Sequence, residues 1–317
     1  EIVEGLRAIV GGDNITAAEQ ALEAYFEIRK NQEDDLFFIT QMKSINPKIT
    51  QAAYKLLMKM ELKNDHLVAL KELLKAKDVG FLMLAIDVIA RIESVEGKAC
   101  LIDLAGHENA ELVKKAVYYL SKKQLQDDEL KRFLGLLSSK YEHVKIYALI
   151  FANQSKTTET TLGILDLLDD FWSEKVRSNA YAVLKDRDFS AIHFKLVKKF
   201  LSKKRSHLLA VKLIGKFESA EANKIVIEEL GDASTDDANY YFTLLRKNKF
   251  FGDEFDALKS AFKTKDEFVK GLVVKLLVKV PDAQKKNAAS FLEKKLSGQY
   301  SASLKKDMQT AIDYLKK

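Results

Sequence analysis

A pattern of apolar residues recurs ten times along the 317-residue chain. In each copy the first apolar residue is followed by a second four residues later, and usually by a pair seven and eight residues later. Successive copies lie 29 to 35 residues apart. The spacing within a copy places its apolar residues on one face of an α-helix. A fixed period of this length is the signature of a solenoid of stacked helical units. The copies begin at Ala18, Ile49, Phe81, Val113, Val144, Val176, Leu209, Ala238, Val269 and Leu304.

A second apolar segment lies between successive copies and ends in a residue such as Leu74, Leu137 or Leu230. Its apolar residues are also three and four positions apart, which predicts another helix. Each unit is therefore predicted to contain a helix A, a short turn and a helix B, where the ten copies are the B helices. We predict an all-α fold, a right-handed α–α superhelix (solenoid) of about nine to ten helical pairs.

The turns before the B helices contain residues that cap helices. Asn109, Ser173 and Asp266 are expected N-caps, because their side-chain oxygens can accept hydrogen bonds from the first helical turn. In several copies an acid in the first turn is followed three residues later by a base, as in Glu174 and Arg177. Residues at this spacing are neighbours on the helix surface, so we expect such acids and bases to neutralise each other.

The segment 173–180, with the sequence Ser-Glu-Lys-Val-Arg-Ser-Asn-Ala, resembles the B helix of HEAT repeats. In that family acid, apolar, basic and small residues follow one another in this order, and the resemblance extends over nearly the whole chain. The period is closest to that of compact bacterial HEAT repeats. The resemblance implies a HEAT-like α-solenoid with B helices on its concave side, and it is specific for architecture rather than function. This chain departs from the family in lacking the usual proline of helix A, and Ala210 and Asn239 replace the expected base.

The chain is predicted to form one continuous solenoid with three parts. Residues 1–46, with 9 acidic and 4 basic residues, form an acidic amino-terminal capping region. Residues 47–300 form HEAT-like repeats of about 32 residues. Residues 301–317 form a carboxy-terminal capping helix, because the ends of a solenoid must cover its core. Residues 47–317 carry a net charge of +11, which is mild for a nucleic-acid-binding protein of this size.

No residues have the spacing of a catalytic, metal or cofactor site. None of the five histidines has a second His or Cys three or four residues away, as zinc sites commonly do. The single cysteine, Cys100, cannot form a disulfide within the chain. No apolar run approaches 18 residues, so no membrane span is predicted. We therefore expect a non-enzymatic, cytoplasmic protein without metal or cofactor, and interpret the start at Glu1 as a trimmed terminus.

Positions two and six after the first residue of each B helix point away from the core. Several are apolar, and aligned apolar residues on an exposed face indicate a binding surface. Small residues such as Gly215 would let a ligand backbone approach closely. The alternative is that an error in register places some of these residues in the core. The residues predicted to form a partner-binding groove are Tyr119, Ile146, Ile150, Val211, Tyr240 and Leu244.

A basic row on the B helices supports a second hypothesis, nucleic-acid binding. Stacked repeats would align these bases so that they could follow phosphates. Lys203, Lys204 and Arg205 form a further basic cluster in one turn. Trp172, in the turn after Leu167 and Leu168, is expected to fill a gap between repeats. Because acids precede several of the bases, we predict instead a protein-interaction scaffold or adaptor whose groove binds an acidic or amphipathic protein segment. The basic rim or ladder consists of Lys114, Lys145, Arg177, Lys185, Lys247 and Lys270.

Overall fold

The computed structural model describes residues 1–29 and 32–317. Within these ranges the chain forms twenty α-helices and four short 3-10 helices, and no strand. The predicted all-α fold is therefore confirmed, whereas the right-handed superhelix and the capping regions stay predictions. The chain divides into two compact units, Glu1–Ser155 and Lys156–Lys317.

The first unit consists of helix pairs that pack in chain order. Odd-numbered helices are the A helices and even-numbered helices the B helices. The A helix α7 packs against the next A helix, α9, and the B helix α6 packs against the next B helix, α8. Two 3-10 helices cover Asn64–His66 and Gly135–Ser138. The α-helices are α1 (Ile2–Val10), α2 (Ile15–Ile28), α3 (Gln32–Gln41), α4 (Pro47–Leu57), α5 (Leu67–Leu73), α6 (Val79–Ile89), α7 (Val95–Ala105), α8 (Ala110–Leu120), α9 (Asp127–Leu134) and α10 (Glu142–Ala152).

The second unit follows the same scheme. Its B helices α16 and α18 pack together, as do α18 and α20, while the A helix α15 packs against α17. Its 3-10 helices cover Leu167–Asp169 and Phe200–Ser202. The α-helices are α11 (Thr158–Asp166), α12 (Glu174–Leu184), α13 (Ala191–Lys199), α14 (His207–Ile214), α15 (Ala220–Asp232), α16 (Thr235–Lys247), α17 (Phe255–Ala261), α18 (Glu267–Leu277), α19 (Asp282–Leu296) and α20 (Ala302–Leu315).

The predicted helix caps are present. Asn109 Oδ1 accepts hydrogen bonds from the backbone N–H groups of Glu111 and Leu112, at 3.0 and 3.3 Å. Ser173 Oγ accepts a hydrogen bond from the third residue of α12 at 3.0 Å. Asp266 caps α18 in the same way, at 2.7 Å from the nearer N–H. These bonds satisfy N–H groups that have no partner inside the helix, and so fix where each B helix begins.

The apolar copy in α14 begins three residues earlier than the sequence pattern predicts. Ser206 is fully buried, and the residues four, seven and eight positions later are buried as well. Leu209, the predicted first residue, is only half-buried. A buried serine takes the place that an apolar residue occupies in the other copies, so a search for apolar residues starts this copy at the wrong position. The register of this repeat is thus corrected to Ser206, Ala210, Leu213 and Ile214.

Basic side chains tie successive B helices together. Lys279, just after α18, donates to three backbone carbonyls at the end of α16, at 2.6 to 3.0 Å. Lys216, just after α14, donates to two carbonyls at and beyond the end of α12, at 2.5 and 2.6 Å. Arg91, just after α6, donates to two carbonyls beyond the end of α4. These contacts place a cation at the negative end of a neighbouring helix and supply donors for unpaired carbonyls.

Candidate binding surfaces on the B helices

A buried polar cluster joins three B helices of the first unit. Asp87 on α6 is 9% exposed, and its carboxylate accepts hydrogen bonds from Lys115 Nζ at 2.7 Å and Tyr119 Oη at 2.6 Å, both on α8. Tyr54 on α4 donates to the same carboxylate at 3.1 Å. Burial, and then the bond to Asp87, raises the pKa of Tyr119 well above its usual value. The cluster is internally paired, which suits a rigid support rather than an acid–base catalyst.

The exposed apolar residues of this unit lie on the neighbouring helix, α10. Ile150 is 54% exposed and Ile146, one turn earlier, is half-buried. The helix α8 packs against α10, and its Tyr119, six residues after Val113 as Ile150 is six after Val144, is half-buried. The Tyr119 hydroxyl is held by Asp87. Three of the predicted groove residues are therefore accessible to a partner and lie on adjacent B helices.

In the second unit, Tyr240 on α16 lies on a surface shared with α12 and α14. Its hydroxyl is 2.9 Å from the hydroxyl of Tyr181 on α12. Lys212 Nζ on α14 lies 5.2 Å from the centroid of the Tyr240 ring and 3.4 Å from a carboxylate oxygen of Asp237. Tyr240 is 37% exposed, and Leu208, which the sequence did not single out, is 39% exposed. Burial raises the pKa of Tyr181.

Two other residues predicted to form the groove have packing roles. Val211 is fully buried, so its assignment to an exposed groove is wrong; the corrected register of α14 places it in the core. Leu244 is half-buried and packs on Gly215, where an added Cβ would lie 2.5 Å from Leu244 Cδ1. The space left by Gly215 is therefore filled by a side chain of the next B helix, and not left open for a ligand.

The basic ladder is divided between structural and exposed side chains. Arg177 Nη1 donates to the backbone oxygen of Asp170 at 2.6 Å, and Lys270 Nζ lies 5.6 Å from the centroid of the Tyr300 ring. Lys145 is half-buried. The remaining members, exposed on the surface, are Lys114, Lys185 and Lys247.

Two aromatic residues in a turn are more exposed than the sequence predicts. Trp172 is 88% exposed and Phe171 is 57% exposed. The expectation that Trp172 fills a gap between repeats is therefore wrong. No periodic signal marks this residue as exposed, because it lies in the turn between helices where the apolar pattern is interrupted.

Within the described ranges, no group of three or more His, Cys, Asp and Glu side chains is arranged to hold a metal ion. No helix in the described part of the chain has both the length and the apolar character needed to cross a bilayer.

Comparisons with known proteins give one family match and a distant structural similarity. The family described as "Family of unknown function (DUF5724)" matches residues 174–311, which lie within the second unit. No curated protein matches the chain. One solved structure similar to this chain is that of an engineered protein from the Northeast Structural Genomics Consortium. The two share 16% sequence identity with a TM-score of 0.45, over 100% of this chain and 99% of that one.

Proposed function

We propose that this protein is a non-enzymatic interaction scaffold of the HEAT-like type. Its B helices bind an apolar helix or extended segment of a protein partner. The repeated A and B helices and the sequence of α12 support the HEAT-like assignment. Lys122, an exposed lysine just after α8 in the same unit, favours a partner with acidic residues around its apolar ones.

The observation that carries the proposal is the exposure of Ile150. Ile150 is a large aliphatic side chain that is 54% exposed and lies one turn from half-buried Ile146, on a helix that packs against α8, which carries Tyr119. Exposed apolar surfaces mark interaction sites when they are contiguous. The helix-in-groove mode of recognition needs apolar residues at this spacing on adjacent helices.

The alternative, nucleic-acid binding along the basic ladder, has less support. Arg177 holds a backbone carbonyl and Lys270 lies by an aromatic ring, so two members of the ladder already have local contacts. The proposed apolar surface and the ladder also differ in their salt dependence, because displacement of counterions by phosphates makes only the second steeply sensitive to salt.

The test compares Ile150→Asp with a matched control. Ile192 on the A helix α13 is also 54% exposed, so Ile192→Asp makes the same chemical change away from the B helices. Both variants should retain the helicity of the unchanged protein. In nuclease-treated affinity purification at moderate salt, a partner should be retained by the unchanged protein and by Ile192→Asp, and lost from Ile150→Asp. Equal retention by all three proteins would refute the proposed surface.

A further inference from the structure

An aromatic and cationic surface lies on two successive A–B turns of the second unit. The turn before α12 contains Phe171 and Trp172, and the turn before α14 contains Lys203, Lys204 and Arg205, all exposed. Arg205 Cζ lies 4.1 Å from the centroid of the Phe171 ring, which brings the two turns together. We call these five residues the turn patch. It does not include any residue of the apolar surface proposed above.

The aromatic pair is held in place by hydrogen bonds of the turn itself. Asp170 Oδ1 accepts from the backbone N–H groups of Trp172 and Ser173, at 3.1 and 2.9 Å. The Asp170 carbonyl accepts from Arg177 at 2.6 Å. The Phe171 and Trp172 rings meet edge to face, with centroids 4.7 Å apart. The turn thus holds in place the backbone that carries the two exposed rings, which reduces the backbone entropy lost on binding.

We propose that the turn patch binds single-stranded nucleic acid. The Trp172 ring, at 88% exposure, offers a flat face on which a base can stack. Lys204 and Arg205 can contact phosphates on either side of a stacked base. Lys203 Nζ is 3.7 Å from a carboxylate oxygen of Asp169, at the long end of ion-pair distances, so an incoming phosphate can compete for it. An acidic peptide could pair its carboxylates with the cations, but its acidic residues have no planar ring that could stack on Trp172. Each nucleotide of a single strand has both a phosphate and a base.

The surrounding charges favour a flexible strand over a flat anionic membrane. Exposed Asp232 and Asp236 lie on either side of the next A–B turn of this unit. A further acid, Glu229 near the end of α15, accepts a hydrogen bond from His207 at 2.8 Å. Because His207 begins α14, directly after the cationic turn, the acidic groups lie next to that turn. A flat anionic bilayer would meet these acids together with the cations and be repelled by them. A single strand can follow the two cationic turns and avoid the acidic one.

The first experiment uses the fluorescence of Trp172, the only tryptophan of the chain. The full chain is titrated with an oligothymidylate of about 15 nucleotides, a length within the range of single-strand binding sites. Stacking of a base on the indole should quench the emission with a saturable, salt-dependent curve. Vesicles of phosphatidylserine and phosphatidylcholine should leave the emission unchanged. A shift of the emission to shorter wavelength with vesicles, without a response to oligonucleotide, would overturn the proposal in favour of a membrane.

The second experiment measures the affinity of variants for a labelled oligothymidylate by fluorescence anisotropy. Trp172→Ala should weaken binding roughly 5- to 150-fold, the range expected for loss of one stacked base, and Trp172→Phe should recover part of it. The triple variant Lys203→Ala, Lys204→Ala, Arg205→Ala should lower the slope of log affinity against log salt by about 2.

A matched control removes three exposed lysines from elsewhere in the same unit, through Lys286→Ala, Lys294→Ala and Lys306→Ala. This variant has the same net charge as the triple variant of the turn patch and should bind almost as well as the unchanged protein. An equal loss in both would mean that net charge alone attracts the oligonucleotide, which contradicts a defined site. Unchanged affinity of Trp172→Ala, or no binding by the unchanged protein, would also overturn the proposal.

Discussion

At the scale of single residues, Gly97 shows how a close contact between chain segments reverses the usual effect of alanine in a helix. Gly97 lies in the first turn of α7, and a Cβ there would lie 2.6 Å from the backbone oxygen of Ile92. Since the obstructing atom belongs to the backbone, the turn itself must shift. We expect Gly97→Ala to lower the free energy of unfolding by about 1–3 kcal/mol, measured by chemical denaturation.

Gly5 provides the control for this prediction. It lies within α1, and a Cβ would meet no atom within 4 Å. Gly5→Ala should therefore raise the free energy of unfolding by about 0.5–1 kcal/mol, because alanine loses less backbone entropy on folding than glycine. Stabilisation by Gly97→Ala comparable to that of Gly5→Ala would show that the turn before α7 relaxes without cost.

Residues that break the local pattern could not be assigned from the sequence. Ser206 is fully buried at a position where the other copies have an apolar residue, and the resulting error in register led to the wrong assignment of Val211. Trp172 was expected to be buried because large aromatic residues usually pack, yet its turn holds it out into solvent. In both cases the outcome depends on the three-dimensional arrangement, and a pattern of apolar residues contains no information about it.

The contacts of Asp87 illustrate a second limit. Its partners Tyr54, Lys115 and Tyr119 lie 28 to 33 residues away, one repeat before and one repeat after. The period of the sequence predicts that equivalent helix positions become neighbours. It does not predict which of several polar side chains pair. Ile146 and Ile150 were easier to place, because their side of α10 follows directly from helical geometry.

At the scale of helices, capping residues in the sequence predict where helices begin, but the sequence does not predict the contacts between repeats. Asn109, Ser173 and Asp266 cap the helices that follow them, and each acts on N–H groups two or three residues away. Lys279 instead donates to carbonyls 31 to 34 residues earlier. Its sequence neighbourhood resembles that of any exposed lysine after a helix, so its role appears only in the structure.

Lys279 is expected to stabilise the contact between α16 and α18. Burial lowers its pKa, yet the ammonium group donates to three carbonyls that otherwise have no intrahelical partner. Lys279→Ala should lower the free energy of unfolding by about 1–3 kcal/mol, because hydrogen bonds from a charged donor are lost. Lys275→Ala, at an exposed position of α18, should change it by less than about 0.5 kcal/mol. If both substitutions changed the free energy of unfolding equally, the hydrogen bonds of Lys279 would not stabilise the contact between α16 and α18.

At the scale of the whole molecule, the two units were not predicted, because the apolar period runs through residue 155 without interruption. A repeat array is built from contacts between neighbours, so a boundary depends on how many contacts join adjacent pairs, which composition does not reveal. The family match at residues 174–311 lies inside Lys156–Lys317.

We predict that residues 156–317 fold when expressed alone. The helices of this unit pack in sequence, and the last of them, α20, packs against α18 and α19 with Leu304, Met308 and Ile312 buried. The fragment should show helical circular dichroism and a cooperative thermal transition. A shorter fragment, 174–317, lacks α11, which packs against α12 and α13, and should unfold at a lower temperature because it exposes the apolar side of those helices. The prediction is wrong if 156–317 shows no cooperative transition while the full chain does. The second unit would then need residues 1–155 to fold, as expected of one continuous solenoid and not of two independent units.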